Sequence, residues 1–308
     1  MRPGRGAAAF RDIRAIGIRA SADSDLAQDI VERVGEHEVP VGPLAVRWLG
    51  FELDEARAGV PGRARLRLEN AGSARWKSRG KEGLQLAYHW LDPRGNPIVW
   101  DGLRTPFPRT VEPGESIEVD PVVLAPRPPG GYRLAFDLVE EHRFWLQELG
   151  STPLELPVEV RPRIAERRLA AVIHGTPDEQ IAAALAAQEE PLVSEGAVAF
   201  AHLVPEALPA PDWSRRLLDG HEEGFAAVGG AVEPLDGLRA RAEARRLAPW
   251  APGGGRNPRF TQPLLFPSLL AGLDPGRHEG MPVFSGADAL FDGNAVVRLR
   301  RRSGRPSG

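Results

Sequence analysis

The stretch from residue 43 to about 161 constrains the fold most, because short runs of apolar/polar alternation recur there between turn signals. Ala64, Leu66 and Leu68 alternate with Arg63, Arg65, Arg67 and Glu69, and Leu84, Leu86, Tyr88 and Trp90 with Gln85, Ala87 and His89. Tyr132, Leu134, Phe136 and Leu138 alternate with Arg133, Ala135 and Asp137, and Leu154, Leu156, Val158 and Val160 with Glu155 and Glu159. A period of two sends one face of a strand to a core and the other to water. Asn70-Ala71-Gly72-Ser73, Asp92-Pro93-Arg94-Gly95-Asn96, Glu112-Pro113-Gly114-Glu115 and Pro128-Pro129-Gly130-Gly131 supply the turns. This density of strands and turns predicts an all-β, two-sheet sandwich of about 100 residues.

The flanking parts differ in character. Residues 1–42 read as an arginine-containing leader and one helix, capped by Ser24 or Asp25, striped by Leu26, Ile30, Val31 and Val34, and ended by Gly35. Residues 163–297 read as a small α/β domain. Leu169 to His174 forms a strand, Pro177-Asp178-Glu179 opens an alanine-rich helix through Gln188, and Gly196 to His202 forms another strand. Asp212 caps a helix with Trp213, Leu217 and Leu218, and Asp236 to Leu247 forms a third helix. Pro249 to Pro282, rich in Pro and Gly, reads as irregular surface loop, and residues 298–308 as a basic tail with Arg298, Arg300, Arg301, Arg302 and Arg305.

Composition removes whole classes of function. The 308 residues contain no cysteine, so disulfides, thiolate catalysis and Cys-built metal sites are excluded. With 39 basic and 42 acidic side chains the net charge is -3, which offers no broad attraction to nucleic acid. The longest uncharged run, Phe260 to Leu273, is interrupted by Pro263 and Pro267. It falls short of the roughly 20 apolar residues that a spanning helix needs. The chain is therefore read as cytoplasmic, with peripheral membrane contact through the basic tail as an alternative.

Two resemblances sharpen the reading. Asn70-Ala71-Gly72-Ser73-Ala74-Arg75-Trp76, Tyr88-His89-Trp90, Trp100-Asp101-Gly102-Leu103-Arg104-Thr105, Val111-Glu112-Pro113-Gly114-Glu115 and Gly131-Tyr132-Arg133-Leu134 carry the first. Across about 115 residues the β part resembles the immunoglobulin-like accessory domains of bacterial proteins that handle cell-surface polysaccharide. Ile173-His174-Gly175 and the run from Pro211-Asp212-Trp213 to Ala226-Ala227-Val228-Gly229-Gly230 carry the second. Here the chain looks like a fragment of a GT-A glycosyltransferase of the family 2 type. The resemblance implies an Asp-x-Asp metal motif just before Pro-Asp-Trp, but the corresponding residues are Ala201-His202-Leu203-Val204-Pro205-Glu206, without aspartate. No metal or cofactor is therefore expected.

Candidate site residues follow from chemistry. Five of the seven tryptophans, Trp48, Trp76, Trp90, Trp100 and Trp145, lie in the β part. Indole faces stack on the apolar C–H faces of sugars. Trp90 shares the inward parity of Leu86 and Tyr88, and Trp48 sits in an apolar strand, so both are assigned to the core. Trp76, Trp100 and Trp145 adjoin turns or charges and are the ligand candidates, with Asp101, Arg104 and Arg109 as hydrogen-bonding partners. Glu140, Glu141 and His142 form a tight acid–imidazole cluster, read as a solvated strand end. Pro252-Gly253-Gly254-Gly255-Arg256-Asn257, with Arg259, could wrap an anion through backbone N–H groups, or be a plain loop. Asp288 and Asp292, flanking Leu290-Phe291, are read as turn residues, with acids of a lost or altered site as the alternative. The leading expectation is a non-catalytic glycan-binding or accessory protein of polysaccharide biosynthesis, with glycan or biosynthetic proteins as partners. The rivals are a glycosyltransferase that binds its donor through Arg256 and Arg259, and a protein-interaction adaptor.

Overall fold

The computed structural model describes residues 41–78, 83–234, 268–271, 276–278, 281–283 and 288–300. The helices expected at 24–35 and 236–247, the glycine loop with Arg256 and Arg259, and Arg301, Arg302 and Arg305 lie outside the described residues. The fold is mostly β and divides into two compact units, Met1–Arg161 and Pro162–Gly308.

The first unit holds two antiparallel sheets. One joins β1 (Val46–Leu53), β2 (Pro61–Asn70) and β6 (Ser116–Val119), with β7 (Val122–Leu124) also paired to β2. The other is ordered β10 (Leu154–Val160), β8 (Gly130–Glu140), β3 (Leu84–Leu91) and β4 (Pro97–Val99). In it β5 (Thr105–Pro106) pairs with β3 and β9 (Phe144–Trp145) with β8. Inward residues of both sheets, among them Trp48, Leu66, Leu68, Leu86, Trp90, Leu134, Phe136 and Leu156, merge into one core. Two of the three buried indoles there donate their N–H: Trp48 to the Thr152 carbonyl and Trp90 to that of Leu124, each at 2.9 Å, whereas the Trp76 N–H has no partner among the described residues. Asn70 organises its turn, donating to the carbonyls of Ala74 and Val111 at 2.9 and 3.0 Å and accepting from the Gly72 N–H at 3.1 Å.

Alternation describes β2 well but β3 and β8 only on their inner face. Ala135 and Asp137, expected to be wet, are buried, and so is His89. The reason is that loop and turn segments cover the outer face of these central strands. The 3-10 turn Leu146–Leu149 lies over β8, where the Gln147 N–H donates to Asp137 at 3.1 Å.

The second unit is built on a six-stranded mixed sheet. Its order is β11 (Leu169–Ile173), β12 (Ala199–Leu203), β15 (Ser268–Leu270), β14 (Ala227–Pro234), β18 (Ala289–Leu299) and β13 (Ala207–Pro209). The β11–β12 and β14–β18 pairs are parallel and the others antiparallel. A separate hairpin joins β16 (Gly276–His278) to β17 (Met281–Val283). Helix α1 (Glu179–Ala186) opens where expected and is capped by Asp178, which accepts from the N–H groups of Gln180 and Ile181. Helix α2 (Trp213–Glu222) buries Trp213, Leu217 and Leu218. Asp212 precedes it without a capping hydrogen bond and pairs instead with Arg216, one turn into the helix. At the β14–β18 bulge Gly230 is obligatory, because a Cβ there would stand 1.9 Å from the Ala295 carbonyl oxygen.

Two expectations are corrected here. Ser268–Leu270 is an inner strand of the sheet rather than irregular loop; three residues are too few to show a period. The folded unit also continues past 297. Arg298 lies in β18 opposite Leu208, and Arg300 binds Asp178, Gln180 and the Pro205 carbonyl at 2.8, 2.8 and 2.9 Å.

Candidate functional site

The outer face of β3 and β8 carries the most distinctive side-chain cluster. His89 pairs across β3–β8 with Ala135, and Ala87 with Asp137, so His89 and Asp137 are diagonal neighbours on one face. After the Asp92 turn, β4 runs back beside Trp90, and the chain then crosses over β3. Asp92 holds that turn by accepting from the N–H groups of Arg94 and Asn96 and from the Asn96 side chain. The Gly102 N–H donates to the Tyr88 carbonyl at 3.0 Å. A Cβ on Gly102 would stand 2.4 Å from that oxygen, so only glycine permits this crossing. From the other side, β9 places Trp145 opposite Val139.

Three rings thereby meet over β3. The Trp100 indole stacks on His89 with centroids 4.1 Å apart, Trp145 lies 4.2 Å from His89, and the two indoles meet edge to face at 6.1 Å. Trp100 is 45% exposed, whereas His89 beneath it is 2% exposed. The His89 Nδ1 is hydrogen-bonded to the Trp100 carbonyl, which fixes the ring as an Nδ1 donor. Its Nε2 is buried and has no hydrogen-bond partner among the described residues. Burial pushes the His89 pKa below its ordinary value, so the ring is neutral at pH 7.

Arg104 frames this aromatic patch. It donates to Glu141 at 2.5 Å, to the Gly102 carbonyl at 2.8 Å and to Asp101 at 3.0 Å, and its guanidinium lies 4.9 Å from the Trp145 ring centre. Burial works against its charge, but the Glu141 and Asp101 carboxylates outweigh this and hold its pKa above the ordinary value. Asp137, behind the cluster, has its pKa pushed up to about 7 by burial, although it accepts two backbone N–H groups.

Four of the expected residues, Trp100, Asp101, Arg104 and Trp145, thus come together. Trp76 does not join them. It is fully buried and stacked on Phe107 at 5.5 Å, so it offers no face to a ligand. Arg109 pairs with Glu115 at 2.6 Å elsewhere in the unit. The Glu140–His142 cluster is split because the strand ends at Glu140. His142 takes a left-handed φ of 62°, buried Glu140 pairs with Arg143, and Glu141 turns to Arg104. Sequence reasoning missed His89 and Glu141 as members of the cluster. The Tyr88-His89-Trp90 triplet was the available signal for His89.

The second unit holds one histidine pair and one buried single histidine among its described residues. His174 Nε2 and His202 Nδ1 lie 2.9 Å apart at the C-terminal ends of parallel β11 and β12. His221 is buried, with Nδ1 2.9 Å from the Phe225 carbonyl and Nε2 2.7 Å from the Ser268 hydroxyl. Burial drives its pKa down to about 4. Since Nδ1 donates to the carbonyl, Ser268 donates to Nε2. Asp288 ion-pairs with Arg163 at 3.0 Å, and Asp292 accepts from the Asn294 N–H at 2.9 Å within β18. Among the described residues no three His, Asp or Glu side chains converge as a metal site.

No family model matches the sequence, and no curated protein matches it. Solved structures similar to the chain include the C-terminal domain of Wzt, 9% identical, covering 43% of this chain and 84% of that one at a TM-score of 0.28. A family 123 glycoside hydrolase from Clostridium perfringens, described for glycolipid glycan hydrolysis, is 12% identical. It covers 42% of this chain and 26% of that one at a TM-score of 0.20. The ApaA protein of Bordetella pertussis is 18% identical, covering 41% and 100% at a TM-score of 0.19. Scores this low assign neither a fold family nor a function. No described helix is long and apolar enough to cross a membrane.

Proposed function

We propose that residues 43–162 form an immunoglobulin-like sandwich that binds glycan, in a non-catalytic accessory protein of bacterial cell-surface polysaccharide biosynthesis. The observation that carries this reading is the Trp100 indole, exposed on one face, seated on His89 and flanked by Trp145, Asp101 and Arg104. A flat aromatic surface ringed by polar groups complements a pyranose, whose C–H faces are apolar and whose rim is hydroxylated. The two antiparallel sheets around one core support the sandwich assignment.

The second unit, from residue 163 through β18 to at least Arg300, completes the reading as a GT-A-like module without a metal site. The parallel pair β11–β12 and the helix opening at Pro211-Asp212-Trp213 support it. Where the family's aspartates belong stand His202, Val204 and Glu206. A divalent ion on a sugar-nucleotide diphosphate needs hard oxygen ligands, so manganese should not raise affinity for any nucleotide sugar. A glycan array and a sugar-nucleotide thermal-shift panel with and without manganese, run on one preparation, test the whole reading. Binding of a glycan without turnover supports it. Transfer or hydrolysis of a nucleotide sugar replaces it with the transferase, and indifference to every glycan with the adaptor.

A further inference from the structure

The charge pattern around Trp100 specifies what kind of sugar the patch accepts, an inference that rests on the glycan-binding reading above. Among the described residues Arg104 is the cation of the cluster, and it is committed, through Nε, Nη1 and Nη2, to Glu141, the Gly102 carbonyl and Asp101. Asp101 uses only Oδ1 on Arg104, and its side chain is 72% exposed; Glu141 uses Oε1 and is 40% exposed. Glu148 adds a third carboxylate near Trp145, whose backbone N–H it accepts at 3.0 Å, while Arg143 is engaged by Glu140. Beneath the indoles the His89 ring holds its proton on Nδ1 and leaves the buried Nε2 bare, so it adds no positive charge to the cluster. The patch therefore offers acceptors and negative charge, under indole faces whose quadrupoles also attract cations.

We infer that the Trp100 patch selects saccharides with a free amino group, holding the ammonium between the indoles and the Asp101 and Glu141 carboxylates. N-acetylation removes that charge and two of the donors. A uronate brings a carboxylate against like charges and finds no uncommitted cation among the described residues of the cluster. The carboxylates are solvent-facing, so the preference should shrink as salt rises toward physiological ionic strength and above.

Calorimetry on the full chain at about pH 6.5 tests this with three tetrasaccharide probes: glucosamine, N-acetylglucosamine and galacturonate oligomers. The amino form should bind about tenfold tighter than the N-acetylated one, and the uronate weakest. The double variant Asp101→Asn/Glu141→Gln should erase the amino preference, so that the amino and N-acetylated oligomers bind with equal affinity. If that variant does not fold, Asp101→Asn alone, at the more exposed carboxylate, should reduce the preference by about half on a logarithmic scale. Equal binding of the amino and N-acetylated forms, or a preference that survives the variants, overturns the inference and leaves the glycan reading standing. Failure of all three probes, together with a blank glycan array, overturns both.

Discussion

Each unit buries a titratable side chain, and the two are driven to neutrality from opposite sides. In the first unit Asp137 lies against the outer face of its sheet and takes up a proton, with a pKa near 7. In the second His221, on α2 and facing β15, gives one up, with a pKa near 4. Burial disfavours the charged form of either group. Their hydrogen bonds point the other way in kind. Asp137 accepts two backbone N–H groups that suit a carboxylate, whereas the neutral His221 ring has both nitrogens satisfied. The acid is thus the strained group and the imidazole the comfortable one. A buried histidine costs little when a carbonyl and a hydroxyl frame it; a buried carboxyl surrounded by donors keeps a conflict between solvation and hydrogen bonding.

The largest effects expected are on the two cores that hold these groups. Trp76→Ala in the first unit and Trp213→Ala in the second each remove a fully buried indole and should cost about 3–5 kcal/mol. Hydrogen exchange read strand by strand should show the loss in β2, β3 and β8 for the first variant and in β12, β14 and β18 for the second. A uniform loss across both core clusters in either variant would mean that the units do not unfold separately and that their pH responses cannot be compared.

The pH responses come next. Between about pH 4 and pH 7 folded Asp137 holds a proton that the unfolded chain has released, so this contribution is complete below pH 4 and disappears as pH rises through 7. A displacement of about 3 units corresponds to roughly 4 kcal/mol. His89, with its lowered pKa, works in the opposite direction in the same unit, so the two must be separated by variant. The difference in β3–β8 protection between wild type and Asp137→Asn should change by that amount across the window. A difference that does not vary with pH would show that Asp137 is ionised in the folded protein.

For His221 the sign reverses. Its contribution is complete above pH 6.5, where both states are neutral, and is lost as pH falls toward 4, because only the unfolded chain takes up the proton. The span is about 3 kcal/mol. The second unit should weaken on the acid side, and His221→Gln should flatten that slope even if it lowers stability at neutral pH. An unchanged slope in the variant would move the acid sensitivity to another group.

The sequence made the inner faces of these sheets legible and their coverings obscure. Leu86, Tyr88 and Trp90 announce a core face by parity alone, and Trp48 by its apolar neighbours, because a strand's own geometry sets which way each side chain goes. Parity sends His89 and Asp137 outward just as firmly. What covers them comes from Trp100, Trp145 and Gln147, held by a glycine crossing and a 3-10 turn that carry no periodic signal. Trp76 misleads for the same reason. It adjoins a turn, yet Phe107, about thirty residues on, closes over it. In the second unit Ser268–Leu270 is too short to show a period, although it supplies the hydroxyl for His221.

The smallest expected effect separates an indole that binds from one that packs. Trp100 closes over His89 but is itself 45% exposed, so Trp100→Ala removes less buried area than Trp76→Ala, whose indole is fully buried. It should therefore cost clearly less than the about 3–5 kcal/mol expected of Trp76→Ala. Its effect belongs to the ligand instead. An aromatic stack with two or three hydrogen bonds gives affinities of about micromolar to millimolar, and losing the stack should weaken binding about tenfold, near 1.4 kcal/mol. The variant also opens the His89 ring to water, so the His89 pKa should rise toward its ordinary value, visible as a shift of its imidazole resonances in an NMR titration. That resonance shift distinguishes a ring that covers His89 from one that merely lies nearby. If Trp100→Ala lowers the melting temperature as sharply as Trp76→Ala and leaves the affinity of the folded fraction unchanged, Trp100 belongs to the packing of the first unit and the site is not where the rings meet.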